Sequence, residues 1–486
     1  MNVILLTCVS GTLYQRALGA YQLAFFLRGH GYTVQVIDFT DELSENELIR
    51  ALDNYISTDT LCIGISTTFY NNFNVEIFSS TRDYKAHIPK NIKAAIEYSK
   101  QKYSNIKVVL GGAKSLSGEH LDFVDCVIHG YGEDKMLDFL NRLDSNPKRI
   151  KNKIITLGQS TARQLIIHND PLDRKFDIQK NSHRFIEQDY ILPNETLPIE
   201  ISRGCIFKCK FCAYPLTGKK KFDYIRDPEL IYDEMMYNYK NFNTTNYFFG
   251  DDTLNDSTFK IEKLHKAITS LPFKIKFTAY LRLDLLHHNP EQISMLREMG
   301  LASPFFGIES LNQRSASSVG KGMDVNKVKE FLLELYNDHW NKEIPIYLSL
   351  IIGLPYETEK SMRDTFQWVK ETDLSASFQP LSILSHSIYK SEFEQNIQKY
   401  GYTVKDNGYW ENENMNANQA ESLAKEFNEA LLFNARPASW FLMTLLNHNM
   451  TLEQCSSMKV SDLNWTKIML TKKKKIAKYK SLLFKT

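Results

Sequence analysis

A chain of 486 residues is too long for one ordinary core, so two or three domains are expected. Its 43% hydrophobic and 24% charged content excludes the disordered and fibrous classes. A net charge of +2 excludes any chain-wide demand for nucleic acid or an acidic membrane, and the short lysine runs at 219–221 and 472–475 read as solvated surface.

Strand and helix signals alternate over residues 1–145. Residues 2–7 form a short apolar run with no basic residue before it, which reads as a first strand and not as a signal peptide. Residues 16–28 carry apolar side chains at helical spacing and stop at Gly29-His30-Gly31, before a strand at 33–39. Ser44 with Glu47 three places on is a capping-box signal for a helix to Tyr55. Strands at 61–66 and 107–110 flank a helix at 93–103, and a strand at 124–129 leads into a helix near Glu133. This alternation predicts a doubly wound parallel sheet, whose ligands bind at the carboxyl ends of the strands. Those ends carry Ser10-Gly11, Ser66-Thr67-Thr68, Gly111-Gly112 and Gly130-Tyr131-Gly132.

Residues 146–196 lose the rhythm and hold Pro147, Pro171 and Pro193, as a connecting segment on the surface would. From 197 a second alternation repeats six times, with strands at 197–202, 246–250, 275–281, 304–308, 345–352 and 377–384. Six such units curl into a partial (β/α)6 barrel over 197–385, with function on the loops after the strands. Residues 386–486 read as mainly helical and irregular. The most apolar stretch, 344–354, is about half the length of a membrane span. The expected compartment is therefore the cytoplasm, where thiols stay reduced.

The strongest chemical signal is the loop after the first barrel strand, Ser202-Arg203-Gly204-Cys205-Ile206-Phe207-Lys208-Cys209-Lys210-Phe211-Cys212. Three soft thiolates in one loop leave iron–sulfur and zinc as candidates. A structural zinc site wants four protein ligands, and the next cysteine is Cys455. A four-iron cluster on three cysteines instead keeps one iron open for an exogenous ligand. Cys8, Cys62 and Cys126 fall on expected strands and read as buried small residues. Gly320-Lys321-Gly322 lacks the flanking residues of a phosphate loop.

The cysteine loop, its aromatic Phe211 and its place after the first of six strands resemble the radical S-adenosylmethionine superfamily. The resemblance implies a 4Fe–4S cluster on Cys205, Cys209 and Cys212, with S-adenosylmethionine chelating the open iron. One electron then breaks the sulfonium bond, giving a 5′-deoxyadenosyl radical that abstracts a substrate hydrogen. It further implies cofactor contacts at Gly250-Asp251-Asp252, which stands where the family has a Gly-Gly-Glu-like segment. Arg282 would pair with the methionine carboxylate, unless it is a plain salt-bridge partner of Asp284. Glu309 would contact the ribose or the methionine, and Gly353 would let the adenine approach the backbone. An electron donor such as flavodoxin or ferredoxin is implied as partner, with a small-molecule or peptide substrate.

The first 145 residues are similar to the cobalamin-binding domain of cobalamin-dependent radical enzymes, through Ser66, Gly111, Gly112, Gly130 and Gly132. The Asp-x-His-x-x-Gly motif of some cobalamin proteins is absent between Thr7 and Gly19. The expected function is a radical enzyme and, with cobalamin, a methyltransferase. The alternatives are a methylthiotransferase or cobalamin-independent rearrangement enzyme, and a non-catalytic iron–sulfur or zinc protein.

Overall fold

The structure, a computed structural model, describes every residue except 10, 12, 70–87, 113–120, 146–164, 169–176, 213–222, 384–389, 406–407, 433 and 486. Two parallel sheets dominate it. The first contains β1 (Asn2–Leu6), β2 (Thr33–Ile37), β3 (Thr60–Ser66), β4 (Lys107–Gly111), β5 (Cys126–His129) and β6 (Leu165–His168), in the order β2-β1-β3-β4-β5-β6. The strands β1 to β5 are short, mostly apolar runs buried on both faces, as parallel sheets covered by helices require. The expected capping box is present: Ser44 Oγ accepts from Glu47 N, and Glu47 Oε2 accepts from Ser44 N.

The second sheet runs β7 (Leu197–Glu200), β8 (Asn246–Gly250), β9 (Lys276–Leu281), β10 (Leu301–Glu309), β11 (Tyr347–Ile352) and β12 (Ser375–Pro380), paired strictly in sequence. Every ladder in it is parallel. Alternation sorts the side chains. Phe249, Phe277, Phe306, Leu348 and Phe378 join the core under the outer helices. Phe248 and Ser303 face the helix Ser439–Leu446, which lies on the inner face and donates a hydrogen bond from Ser439 N to Ser303 Oγ at 2.6 Å.

Two expectations need correction. The segment between the domains is not confined to the surface. Leu165–His168 adds a sixth strand to the first sheet through its ladder with β5, while His183, Phe185, Asp189 and Glu195 are buried. Buried partners explain this: Glu195 takes the guanidinium of buried Arg16 at 2.7 Å. The C-terminal region also belongs partly to the first domain. Ile476, Tyr479 and Leu483, on the helix Trp465–Leu483, share a core with Ile4, Ile63 and Val108, and the Tyr479 hydroxyl accepts from Asp38 N at 2.8 Å.

Candidate active site

The carboxyl ends of the second sheet gather the residues with chemical potential. Seven cysteines are free thiols; four are buried, and only Cys205, Cys209 and Cys212 are half-exposed. Backbone bonds anchor their loop: Gly204 N donates to Asp252 Oδ2 at 2.9 Å, Lys210 N to Val319 O at 3.1 Å, and Cys212 N to Cys209 O at 3.0 Å. Cys205 Sγ lies 3.2 Å from Thr253 Oγ1, and burial pushes its thiol upward against that hydrogen bond. Among the described residues no three His, Cys, Asp or Glu side chains gather as ligands of one metal ion. A multi-iron cluster does not ask for that, since each cysteine ligates a different iron. Three accessible thiols on one anchored loop, with a guanidinium against one of them, are a donor set that fits such a cluster.

That guanidinium belongs to Arg282. Its Nε and Nη2 form a fork on Asp284 at 3.0 and 2.6 Å, and Nη1 points to Cys209 Sγ at 3.4 Å. The Phe207 ring lies 4.1 Å beneath its Cζ. Asn255 fixes the backbone, accepting from Arg282 N and donating to Arg282 O. Arg282 thus makes the salt bridge with Asp284 and also faces the cysteine loop.

Glu309 closes β10 with φ at 68°, a conformation rare for a side-chain-bearing residue and often associated with function. Burial raises its carboxyl, opposed by Lys321, whose Nζ lies 3.5 Å away and donates to Gly307 O at 2.8 Å. Lys321 also sits over the Phe211 ring at 6.0 Å. Lys321 gives no site signal in the sequence, where Gly320-Lys321-Gly322 reads only as an incomplete phosphate loop. Its proximity to Glu309 arises when the turn after the helix Gln313–Ser318 folds against the cysteine loop, and no local spacing signals that.

At the end of β8 the two neighbouring acids take different partners. Asp251 is buried and held by Lys260 at 2.6 Å, with Asp256 and Tyr224 in the same polar knot, while exposed Asp252 reaches the loop. The Gly250 carbonyl already accepts from Ile201 N and Ser202 N. At Gly353 the Cβ direction is occupied by Trp410, whose ring an added Cβ would meet at 2.4 Å. Glu357, from the same segment, is fully buried and bonded to the hydroxyls of Ser310 and Ser361, so it ties β10 to the next helix.

The first domain meets this rim edge to edge. Arg203, in the cysteine loop, donates to Glu200 Oε1 at 2.5 Å and to Glu133 Oε1 at 2.6 Å, with Tyr131 stacked 4.8 Å away. Gln22 completes the joint on Glu200 Oε2 at 2.7 Å. Glu133 follows Gly130 and Gly132 at the carboxyl end of β5, so the glycine turn abuts the cysteine loop. Nearby, Gly112 has φ 98°, and a Cβ there would strike Thr68 and Thr67 N within 2.9 Å. Ser66 ends β3 opposite Gly111. At Gly112 the close approach of Thr67 and Thr68 leaves no room for a side chain. Ser10 lies outside the described residues.

A six-stranded parallel half-barrel with a three-cysteine loop after its first strand defines a class, and residues 199–369 match the family model of the radical SAM superfamily. The chain therefore carries a radical SAM domain, which works with a 4Fe–4S cluster, S-adenosylmethionine and a reductant. It is 25% identical over 385 residues to an uncharacterized methyltransferase of Pyrococcus horikoshii, covering 74% of this chain and 73% of that one. It is 22% identical to the hopanoid C-3 methylase of Methylococcus capsulatus, covering 71% and 67%. Among solved structures it resembles the cobalamin-dependent S-adenosylmethionine radical enzyme OxsB, with TM-score 0.57 and 16% identity. The match covers 82% of this chain and spans just over half, 56%, of OxsB. The radical S-adenosylmethionine methyltransferase TsrM from Kitasatospora setae matches with TM-score 0.57 and 15% identity over 83% of this chain and 77% of that one. At these identities the structural matches establish the fold. Among the described residues no helix is long and apolar enough to cross a membrane.

Proposed function

We propose that this chain is a cobalamin-dependent radical S-adenosylmethionine methyltransferase acting on an unactivated carbon of a small-molecule or peptide substrate. The observation that carries the reading is the Arg203–Glu133 joint, which sets the glycine-lined edge of the first sheet against the cysteine loop of the second. The relatives named methyltransferases support it.

Cys205, Cys209 and Cys212 would hold the cluster, and Ser66, Gly111, Gly112, Gly130 and Gly132 would underlie the corrinoid. Together these groups supply reductive cleavage of S-adenosylmethionine and a methyl carrier. The chain's own residues position and shield. Asp252 fixes the loop through Gly204 N, and Val319 fixes it through Lys210 N. Buried Glu309 and half-buried Lys321 present a charge pair at the rim, suited to the polar end of S-adenosylmethionine. Tyr402 and Trp410 cover the end of β11 and keep water from that side, Tyr402 donating to Gly353 O at 2.6 Å. An acidic low-potential carrier such as flavodoxin or ferredoxin would deliver the electron, in the cytoplasm.

Anaerobic purification, with iron and sulfide reconstitution and added cobalamin, tests the reading. A brown protein with close to four irons and a corrinoid band retained through gel filtration supports it. Cys209→Ala should lose the visible chromophore and reductive cleavage of S-adenosylmethionine. A chromophore without retained corrinoid removes the methyltransferase reading, and a colourless protein holding one zinc removes the enzyme.

A further inference from the structure

We propose that Arg282 is a positioning residue that sets the reduction potential of the cluster by donating a hydrogen bond to the sulfur of Cys209. The inference rests on the cluster assignment above, and goes beyond it by assigning Arg282 to the sulfur and not to the methionine carboxylate.

The geometry leaves the guanidinium little freedom. Two of its nitrogens are spent on Asp284 in a planar fork, its backbone is locked on both sides by Asn255, and Phe207 supports it from below. The remaining nitrogen, Nη1, is directed at Cys209 Sγ at 3.4 Å, within range for a sulfur acceptor. The side chain is only 12% exposed, so solvent screens it weakly. An arginine held this way has one orientation to offer, and a lysine could not hold the fork and reach the sulfur at once.

The physical consequence follows from charge. Reduction adds one electron from an external one-electron donor, with no bond made or broken in the protein. The added negative charge is spread over the cluster and its thiolates. A fixed cation and a hydrogen bond at one thiolate stabilise the more negative state, so they raise the potential. Asp284 tempers the net charge but also aims the donor, and the directed hydrogen bond remains. Without Arg282, the same donor should reduce a smaller fraction of the protein.

The test uses the full-length reconstituted chain and compares wild type with Arg282→Gln and Arg282→Lys. Each is poised with dithionite-reduced viologen dyes, and the reduced fraction is read by electron paramagnetic resonance at matched iron content. S-adenosylmethionine affinity is measured in parallel by equilibrium dialysis on the oxidised protein. The expected result is about a tenfold fall in the reduced-to-oxidised ratio for Arg282→Gln at fixed potential, equivalent to about 59 mV for one electron. Arg282→Lys should fall less, with affinity in both changed by less than about threefold. If Arg282→Gln takes up too little iron, Arg282→Lys carries the comparison, and any fall in its ratio supports the proposal. An unchanged ratio in a variant with full iron overturns it. So does an unchanged ratio with a large loss of affinity, which would return Arg282 to the methionine carboxylate. A wild type that assembles no cluster defeats the underlying reading instead, so the two failures are distinguishable.

Discussion

Gly353→Ala offers a direct measure of how tightly the C-terminal region seals the barrel. Gly353 has φ 95°, where a side-chain-bearing residue is strained by about 1–2 kcal/mol. Its new Cβ would also lie 2.4 and 2.7 Å from Cη2 and Cζ2 of Trp410. Trp410 cannot simply step aside: it is fully buried, and its Nε1 donates to Leu381 O at 2.7 Å. Overpacking of this kind costs about 1–3 kcal/mol, so the local cost should total about 2–5 kcal/mol. A chain with two cores does not unfold in one step, so a global midpoint is a poor gauge. Hydrogen exchange read by mass spectrometry on peptides spanning 350–357 and 408–415 reports local opening instead. Protection in both should fall together. Adding Trp410→Leu removes the clash but not the backbone strain, so the double variant should fall short of the summed single costs by about 1–3 kcal/mol. Protection in Gly353→Ala within about 0.5 kcal/mol of wild type would refute the packing argument.

Two further outcomes follow from the joints between domains. Glu133→Gln keeps an acceptor but replaces a charged hydrogen bond to Arg203 with a neutral one, which should loosen the glycine turn by about 1 kcal/mol. Exchange in a peptide spanning 126–136 checks this, and unchanged protection there counts against the joint. His448 is buried between the domains; its Nε2 accepts from Tyr14 N at 3.0 Å and its Nδ1 lies 3.0 Å from Ile468 O, an arrangement that needs the neutral ring. Burial pushes it down to about 4 from 6.5, so its contribution is complete above about pH 6.5 and is lost as pH falls toward 4. Hydrogen-exchange protection in a peptide spanning 441–450 should drop over that window, and His448→Gln should flatten the drop. His183, buried and pushed down to about 3, adds to the same acid sensitivity, so part of the slope remains.

Features written in adjacent residues were legible in the sequence. The strands are runs of Val, Ile, Leu and Phe bounded by turn residues, and the three thiols sit in one loop whose spacing is its own signal. Asp227, Ser257 and Thr358 cap the helices they precede, as short polar residues before apolar periodicity suggest. What stayed hidden depends on distant partners. Gly353 looked like an opening because nothing beside it in sequence announces Trp410. Asp251 and Asp252 looked equivalent until Lys260 claimed one and Gly204 the other. The buried stretch near Glu195 read as surface because its charges and prolines are typical of loops. Arg16 and the Tyr14 hydroxyl, far upstream, accommodate that carboxylate inside together with Leu192 N. Leu165–His168 is too short to register as a strand without β5 beside it.

The helix that begins at Trp465 lends Ile476, Tyr479 and Leu483 to a sheet whose own strands are synthesised far earlier. The helices Glu45–Tyr55 and Lys90–Lys102 cover most of that side, but at about 5–20 residues per second the patch under Ile476, Tyr479 and Leu483 stays bare for many seconds after the strands emerge. The first domain therefore cannot finish maturing on its own, and a nascent chain stalled before 465 presents a greasy surface to chaperones. Completion of the amino-terminal half is timed by the arrival of the carboxyl-terminal helix.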